Sequence, residues 1–487
     1  MGRIPYKWVV ATVFVAGVFM DLLDTSAVNV ALPELSRQFG ASVNQIEWVV
    51  LGYLLALAVS IPASGWVGDR FGTKRTYLFA LAMFTGASVL CGLADTLAEL
   101  TAFRILQGIG GGMLIPVGTA MLFRAFPPIE RAKASTVLML PTVLAPALGP
   151  LVGGWFVTNH SWEWIFFLNV PVGVAAFILG AIGLKEHREP AAGRFDGAGF
   201  VLSGGGLAAV LFALSHGPTD GWGSPAVLIP GLGGLLAFAA LVWVETHIDE
   251  PMLALRLLKE RMFRRANIVT MLAFSSFVGL LFLMPLFLQE LLGLTAFESG
   301  LVVFPQAIGM VITSQICGRL YHSVGPRRLL VFGLVSMSVV SMGLLFIGFD
   351  TSMGTIGVIM FIRGLALGFV FVPIQAAAYA NVAPSDTGRA SAIFSALRQI
   401  SASLGVAILA TVLVESTSRF TEDAATETQV QQSTLDAFHF SFFVGSLLVL
   451  AAGASAMMIR DSDVAHTMRR YAEPERRIEP DEAVGIE

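Results

Sequence analysis

The chain has 487 residues, of which 55% are hydrophobic and only 13% are charged, whereas a soluble globular protein carries roughly 25% charged residues. This shortage of charge excludes an ordinary soluble enzyme and indicates that most of the chain lies in lipid. The net charge is −4 without a long basic run, so the signature of a nucleic-acid-binding protein is missing. There is no Gly-x-x-x-x-Gly-Lys-Ser/Thr loop and no His-Glu-x-x-His pair, which argues against an ATP-driven pump and a membrane metalloenzyme. We expect no nucleic-acid partner, no metal and no cofactor.

Fourteen apolar runs predict an all-helical membrane protein, because a hydrocarbon core about 30 Å thick needs about 20 apolar residues per helix. The first run carries Asp21 and Asp24 and is too long for a signal peptide, so we expect it to remain in the mature protein. The predicted spans are 8–32, 46–67, 77–94, 97–123, 135–157, 164–184, 197–214, 226–244, 266–288, 300–320, 329–349, 354–378, 390–414 and 437–459.

The positions of Lys and Arg predict the topology, since basic residues concentrate in cytoplasmic loops. With the N-terminus inside, twenty-five of the thirty basic residues fall on the cytoplasmic side. Arg37 and Arg419 fall outside, and Arg104, Arg363 and Arg398 fall within spans. We therefore predict a multi-pass protein of the plasma (inner) membrane with both termini in the cytoplasm.

Two similar loops indicate an internal repeat with an offset of eight spans. The loop after the second span contains Gly65, Asp69, Arg70, Gly72, Lys74 and Arg75, and the loop after the tenth contains Gly318, His322, Ser323, Gly325, Arg327 and Arg328 at the same spacing. The offset predicts two six-helix bundles joined by two inserted helices. The expected domains are 1–190, an inserted pair with a linker at 191–265, a second bundle at 266–459 and a cytoplasmic tail at 460–487. Residues 245–265 are interpreted as a membrane-surface linker helix, with a plain loop as the alternative.

Three charged residues within the spans are the first functional candidates, since ionisable groups at membrane depth are costly. Asp21 and Asp24 lie three residues apart and share one helix face. By the helical rise, Asp24 lies about 24 Å from Trp8 and Arg104 about 10 Å from Leu97, entering from the other side. The matching depths predict a pair whose protonation drives transport. The alternatives are a structural hydrogen bond for Asp24, packing or a water-filled entrance for Asp21, and packing against carbonyls for Arg104.

Five motifs, in order along the chain, resemble those of the fourteen-helix drug:proton antiporters of the major facilitator superfamily, the EmrB/QacA-like branch. They are residues 23–33, residues 65–75, Arg104 with Gln107, Gly108, Gly110, Gly111 and Gly112, then Pro146, Gly149, Pro150, Gly153 and Gly154, and finally Trp162, Trp164, Phe167, Asn169, Pro171 and Gly173. The resemblance implies a major facilitator fold, transport driven by the proton gradient without a cofactor, and a role for Arg104 in proton transfer.

Two of these motifs are candidates for conformational gating. In the loop motif, Asp69 beside Arg70 can bond a neighbouring helix and lock one conformation, with Gly65, Gly72 and Arg75 as further members; simple loop capping is the alternative. In the fifth-span motif, glycines four residues apart allow close helix approach, and Pro146 and Pro150 permit a kink.

One departure and a missing acid bear on the substrate. The branch usually has arginine where this chain has Glu163, which indicates either a solvated loop end or an acid near the proton entrance. Family members that handle divalent cations tend to have an acid in the tenth span, where this chain has only glutamines. The resemblance therefore implies monovalent cationic or neutral lipophilic substrates. The substrate-binding candidates are Asn29, Gln107, Gln306, Glu290, Phe274 and Phe277. A rim carboxylate is the alternative for Glu290, and plain helix packing for the two phenylalanines.

We therefore predict an exporter that exchanges inward-moving protons for an amphipathic small molecule, working as a monomer by alternating access. A dedicated exporter of one metabolite, peptide or lipid-like compound on the same scaffold is the main alternative. A non-transporting receptor or assembly protein would not need charged residues at matched depth.

Overall fold

Fourteen long helices make up the computed structural model of the protein, which describes residues 5–41, 43–189, 195–248, 252–422 and 426–468. They are α1 (Tyr6–Phe39), α2 (Trp48–Phe71), α3 (Thr73–Gly92), α4 (Leu97–Ala125), α5 (Arg131–Asn159), α6 (Asn169–Gly183), α7 (Gly197–Asp220), α8 (Pro225–His247), α9 (Arg261–Leu286), α10 (Ala296–Val324), α11 (Pro326–Met342), α12 (Met353–Ala378), α13 (Thr387–Thr421) and α14 (Glu427–Ala456). Each predicted span overlaps one of them, so the predicted all-helical fold is confirmed.

Length and composition allow thirteen of the described helices to cross a membrane. The fourteenth long helix, α5, has 29 residues and packs along α1. Helices are the expected form here because lipid offers no hydrogen-bond partners, so each segment must satisfy its own backbone groups. The sixth predicted span differs slightly, since a short helix, Glu163–Phe167, precedes α6. The eleventh ends in a 3-10 turn, Gly343–Phe346.

The two similar loops form the same tight turn in both halves of the chain. Gly72 separates α2 from α3 with φ of 103°, and Gly325 separates α10 from α11 with φ of 90°; both values favour glycine. Glu186 accepts hydrogen bonds from the backbone N–H of Lys74 and Arg75, at 3.1 and 3.3 Å. Likewise, Asp461 accepts one from the N–H of Arg327 at 2.9 Å. In each half, an acid that follows the last helix of the bundle therefore caps the third helix.

Helix packing repeats with the predicted offset of eight. In the first bundle, α1 contacts α4, α5 and α6, while α4 also contacts α2 and α3, and α3 contacts α6. In the second bundle, α9 contacts α12, α13 and α14, α12 contacts α10 and α11, and α11 contacts α14. The bundles meet where α5 packs on α10 and α12, and where α13 packs on α2 and α4. The fold is thus two six-helix bundles with the same pattern of helix packing.

The inserted helices α7 and α8 lie beside the two bundles. Helix α7 packs on α2 of the first bundle and α13 of the second, and α8 packs mainly on α7. Ile229, Leu236 and Trp243 of α8 are strongly exposed, as expected for side chains that face lipid. The inserted pair is therefore peripheral to the interface between the bundles.

The predicted linker helix at 245–265 is wrong. Within the described residues 252–265, only the five-residue 3-10 turn Leu255–Lys259 separates α8 from α9; residues 249–251 lie outside the description. Met252, Leu257 and Met262 are buried in the core, so their apolar side chains face protein and not the membrane surface. Glu260 caps α9 by accepting a hydrogen bond from the N–H of Phe263, which ends the turn and starts the next helix.

Candidate transport site

The first bundle contains a buried ion pair between Asp24 of α1 and Arg104 of α4. Arg104 Nη1 lies 2.5 Å from Asp24 Oδ2, and each residue is 1% exposed. Arg104 Nε also donates a hydrogen bond to the carbonyl oxygen of Val49, at 3.2 Å. The pair predicted from matching membrane depth is present, and it lies inside the bundle rather than in an open cavity.

Side-chain amides complete the surroundings of the Asp24 carboxylate. Asn169 Nδ2 and Gln107 Nε2 donate to Asp24 Oδ1 at 2.7 and 3.1 Å. The hydroxyl of Ser88 lies within 2.9 Å of Asn169 Nδ2 and 3.3 Å of Gln107 Nε2. Helices α1, α4 and α6 therefore meet at one carboxylate, and Ser88 of α3 contacts both amides that hold it. Gln107 was a predicted substrate contact, but it lies in this buried cluster and is not among the residues that line the central cavity described below.

Asp21 belongs to a second, adjoining contact. Its carboxylate accepts a hydrogen bond from the hydroxyl of Tyr53, and Asp21 is 1% exposed. The ring of Tyr53 lies 4.1 Å from the guanidinium carbon of Arg104, a cation–π arrangement. Asp21, Tyr53, Arg104 and Asp24 thus form one connected group.

This group can link protonation to helix position. Removing the charge of one partner of a buried ion pair typically costs about 3–5 kcal/mol, because the other charge is left uncompensated. Protonation of Asp24 would leave Arg104 in that state, and the strain is relieved only if Arg104 finds another acceptor or the helices move. The cluster therefore has the chemistry of a proton-dependent switch.

The second bundle contains a buried arginine without a carboxylate partner in the described ranges. Arg363 Nη1 donates to Gln306 Oε1 at 2.5 Å and Nε donates to the Ser341 hydroxyl at 3.2 Å, while Nη2 is buried without a partner. Ser26 in α1 and Ser275 in α9 each bond a backbone carbonyl of the equivalent helix α5 or α13. Asp24 lies two residues before Ser26, and the buried Ala273 lies two residues before Ser275. The second bundle therefore has an alanine at the position where the first bundle has its aspartate.

A cavity of about 690 Å³ lies between the bundles. Its walls come from the second half of α1, the middle of α5, the second half of α9 and the first half of α10, so it lies towards the end opposite the loop after α2. Of the predicted substrate contacts, Asn29, Phe277, Glu290 and Gln306 line it. Phe274 does not; it packs against Phe277 and Phe371.

The bundles touch at the other end, which carries the described basic loops and is called the basic end below. There Arg124 donates to Asp69 Oδ1 and to the carbonyl oxygen of Pro384, both at 3.1 Å. The Ser391 hydroxyl donates to the carbonyl oxygen of Pro116 across the interface, at 2.7 Å. A Cβ atom on Gly65 would lie 2.9 Å from the carbonyl oxygen of Gly388, so glycine is needed for this approach. Asp69 and Gly65 are therefore at the closed interface, as the gating hypothesis requires.

The other loop residues of the gating motif lie within the first bundle. Arg75 lies 3.6 Å from Glu186, Gly72 forms the tight turn, and the side chain of Arg70 is exposed. Arg75 and Gly72 therefore belong to the turn within the first bundle.

The fifth-helix motif holds α5 against α1. A Cβ atom on Gly149 would lie 2.4 Å from Ser26, and one on Gly153 would lie 2.8 Å from the carbonyl oxygen of Ala27. Ser26 donates to the carbonyl oxygen of Pro146, whereas Gly154 has its nearest neighbour at 4.0 Å. The side chain of Pro150 lies outside the description. Close packing is therefore the observed role of the two inner glycines, and it fixes the helix that carries Asp24.

Four residues of the site were not among the sequence candidates. Asn169 stood in the sixth-helix motif, which was a signal, but Ser88 and Tyr53 had none. Arg398 of α13 lies 5.6 Å from the ring of Phe274 and was noted only as an arginine within a span.

Glu163 begins the short helix before α6, and one of its carboxylate oxygens is buried without a hydrogen-bond partner, which differs from a solvated loop end.

Two equivalent bundles around a central cavity, with buried charged groups in their walls, define the architecture of a secondary transporter. The Major Facilitator Superfamily profile matches residues 14–406, and the chain belongs to this superfamily of membrane transporters.

Named relatives agree with the predicted resemblance. The chain is 32% identical over 398 residues to the Escherichia coli (strain K12) multidrug export protein EmrB, covering 81% of this chain and 78% of that one. It is 31% identical over 466 residues to the putative multidrug resistance protein MdtD of Serratia proteamaculans, covering 95% of both. The human organic anion transporter MFSD10 (TETRAN) has a similar fold, with a TM-score of 0.66 at 16% identity over 93% of this chain and 100% of that one. The resemblance to EmrB-like transporters is thereby confirmed.

Proposed function

We propose that the protein exports amphipathic drugs or other toxic compounds in exchange for protons, by alternating access between the two bundles. The observation that carries this proposal is the position of Asp24 on α1. Its carboxylate is held by three donors from α4 and α6, and Ser26 and Asn29, two and five residues further along the same helix, line the cavity. A change in the charge of Asp24 therefore acts on the helix that forms one wall of the substrate site.

The proposed cycle uses the two ends of the interface in turn. In the described conformation the bundles touch at the basic end, and the cavity lies towards the opposite end. Protonation of Asp24 from that side weakens its hold on Arg104 and favours substrate release. Opening at the basic end then lets the proton leave and the next substrate enter. The contacts of Arg124 and Ser391 across the basic end support this two-ended arrangement.

The basic end is proposed to face the cytoplasm, with both termini there and the protein in the plasma (inner) membrane. The excess of Lys and Arg in the loops at this end supports that orientation. A single chain contains both bundles and the cavity between them, which supports function as a monomer. The proton gradient supplies the driving force, and no cofactor is required for this cycle.

The lining of the cavity suits amphipathic compounds. Phe277 and Phe282 provide apolar contact area, Asn29 and Gln306 provide amide groups, and Glu290 lies at the rim. Sites that accept many compounds typically combine apolar walls with few polar groups. Gln107 and Phe274 are proposed to act indirectly, through Asp24 and Phe277 respectively.

A susceptibility panel tests the proposal. Cells with and without the protein are exposed to cationic dyes, neutral lipophilic drugs and antibiotics, with the proton gradient intact or collapsed. Expected is resistance to several compounds that disappears on collapse and in Asp24→Asn, but persists in Glu34→Gln, a matched acid on α1 paired at the surface with Arg37. Resistance that survives collapse would contradict proton coupling, and unchanged susceptibility to every compound would favour a dedicated exporter.

A further inference from the structure

A second large cavity lies at the basic end, between the bundles, and has no part in the proposed transport cycle. It measures about 970 Å³ and opens between α1 and α5 on one side and α10 on the other. A hydrogen bond from the Thr136 hydroxyl to the carbonyl oxygen of Ser314, at 3.2 Å, joins α5 to α10 beside it. The residues that matter for its chemistry are Trp8, Ile129, Glu130, Lys133, Arg319 and His322.

The cavity carries net positive charge. Glu130 lies 2.5 Å from Lys7 Nζ and 3.4 Å from Lys133 Nζ, so one carboxylate faces two ammonium groups. The hydrogen bond from Lys7 lowers the pKa of Glu130, which keeps this carboxylate ionised. Arg319 is exposed and has no hydrogen-bond or ion-pair partner among the described residues. Of the charged side chains that line the cavity, Glu130, Lys133 and Arg319 sum to one net positive charge, and Lys7 beside Glu130 adds a second.

The edge of the cavity is apolar and lies at the depth of a membrane interface. Trp8, near the start of α1, is 43% exposed, and Ile129 is 39% exposed. Tryptophan near a helix end is typical of the boundary between lipid headgroups and acyl chains. His322 contributes a polar wall and is held by its Nδ1 contact with the carbonyl oxygen of Thr467, at 2.9 Å.

We propose that this cavity binds the headgroup of an anionic phospholipid from the membrane leaflet at the basic end. Basic pockets between transmembrane helices suit anionic headgroups. Lys133 and Arg319 would contact the phosphate, and the acyl chains would leave past Trp8 and Ile129. A free phosphate ion would use the charges but leave the apolar edge and most of the volume unfilled. Because the walls come from both bundles, a bound lipid stabilises the conformation in which they touch at this end.

Quenching of Trp8 fluorescence measures this binding without depending on transport. The full-length protein is placed in phosphatidylcholine vesicles with increasing amounts of phosphatidylglycerol or phosphatidylcholine bearing brominated acyl chains. The signal of Trp8 is the difference between the unmodified protein and Trp8→Phe. At about fivefold per basic side chain, the two charges give an expected preference for phosphatidylglycerol of roughly 25-fold.

Matched variants separate the cavity from general surface charge. Lys133→Gln with Arg319→Gln is expected to abolish the preference, whereas Lys259→Gln with Arg328→Gln, which removes the same charges from exposed sites at the same end, keeps it. Arg319→Lys with Lys133→Arg, which keeps both charges, also retains it. Equal quenching by both lipids, or a preference that survives in the first double variant, would overturn the proposal. Loss of the preference on adding millimolar inorganic phosphate at constant ionic strength would instead identify a free-anion site.

Discussion

Arg124 links the two bundles at the basic end, and its removal should open the protein there. Its Nε donates to the carbonyl oxygen of Pro384 at 3.1 Å. Pro384 lies in the short 3-10 turn directly before α13 of the second bundle. The Arg124 side chain is 11% exposed, but Pro384 is exposed, so this bond lies close to solvent. A hydrogen bond from a charged donor is worth about 1.5–3 kcal/mol, and the lower end of that range applies near solvent; it corresponds to a shift of about tenfold in the equilibrium between closed and open conformations. The contact with Asp69 lies within the first bundle and does not itself depend on this opening.

A single reporter cysteine measures that equilibrium. Ser391 is fully buried at the interface, and Ser391→Cys changes only its hydroxyl to a thiol. The native Cys91 and Cys317 are both buried, so they give a low background. In inside-out vesicles, a membrane-impermeant maleimide should label position 391 about tenfold faster in Arg124→Gln than in the parent, because labelling requires separation of the bundles.

Arg75→Gln provides the matched control. Arg75 lies at the same end, but it contacts Glu186 within the first bundle at 3.6 Å and is 70% exposed. Its loss should leave the labelling rate unchanged. A rate in Arg124→Gln that stays within twofold of the parent would refute the view that this arginine holds the basic end closed.

Two further substitutions test the packing and the cavity. Gly405→Ala should lower the melting temperature in detergent, because the new Cβ would lie 1.9 Å from the carbonyl oxygen of Ser275 and overpacking costs about 1–3 kcal/mol. The control Gly205→Ala, whose Cβ would meet no atom within 4 Å, should leave the melting temperature unchanged. Equal melting temperatures of the two variants would contradict the close approach of α9 and α13. Phe282→Ala should raise the substrate concentration for half-maximal transport roughly five- to tenfold, since about 40–60 Å² of apolar contact at 25 cal/mol per Å² is lost. No change in that concentration would argue against this site, and so would an equal change in Phe346→Ala, at an exposed position away from the cavity.

The membrane fold was predictable because its signals are local. Each helix is a mostly apolar run, and the sparse Lys and Arg residues divide the loops into two classes. The contact between Asp24 and Arg104 was also predictable, since membrane depth follows from residue number along a helix. The repeat of loops predicted the repeat of packing, down to the glycines at the two tight turns.

The remaining parts depend on how each helix is rotated about its axis and on which helices lie beside it, and residue spacing does not encode either. Gln107 carries an amide that suits a substrate site, but the rotation of α4 directs it to Asp24. Tyr53 and Ser88 resemble ordinary buried residues until α2 and α3 bring them to Asp21 and Asn169. The 245–265 segment has the composition of a surface helix, yet Met252 and Met262 pack into the core.

The central claim is that Asp24 couples proton movement to substrate movement. It is tested most directly in proteoliposomes that contain a pH-sensitive dye and no pH gradient at the start. An imposed gradient of a compound identified by the susceptibility panel should drive proton movement in the opposite direction in the unmodified protein and in Glu34→Gln. In Asp24→Asn, substrate exchange should continue while proton movement falls to the level of empty liposomes. Substrate-driven proton movement at full rate in Asp24→Asn would contradict the account.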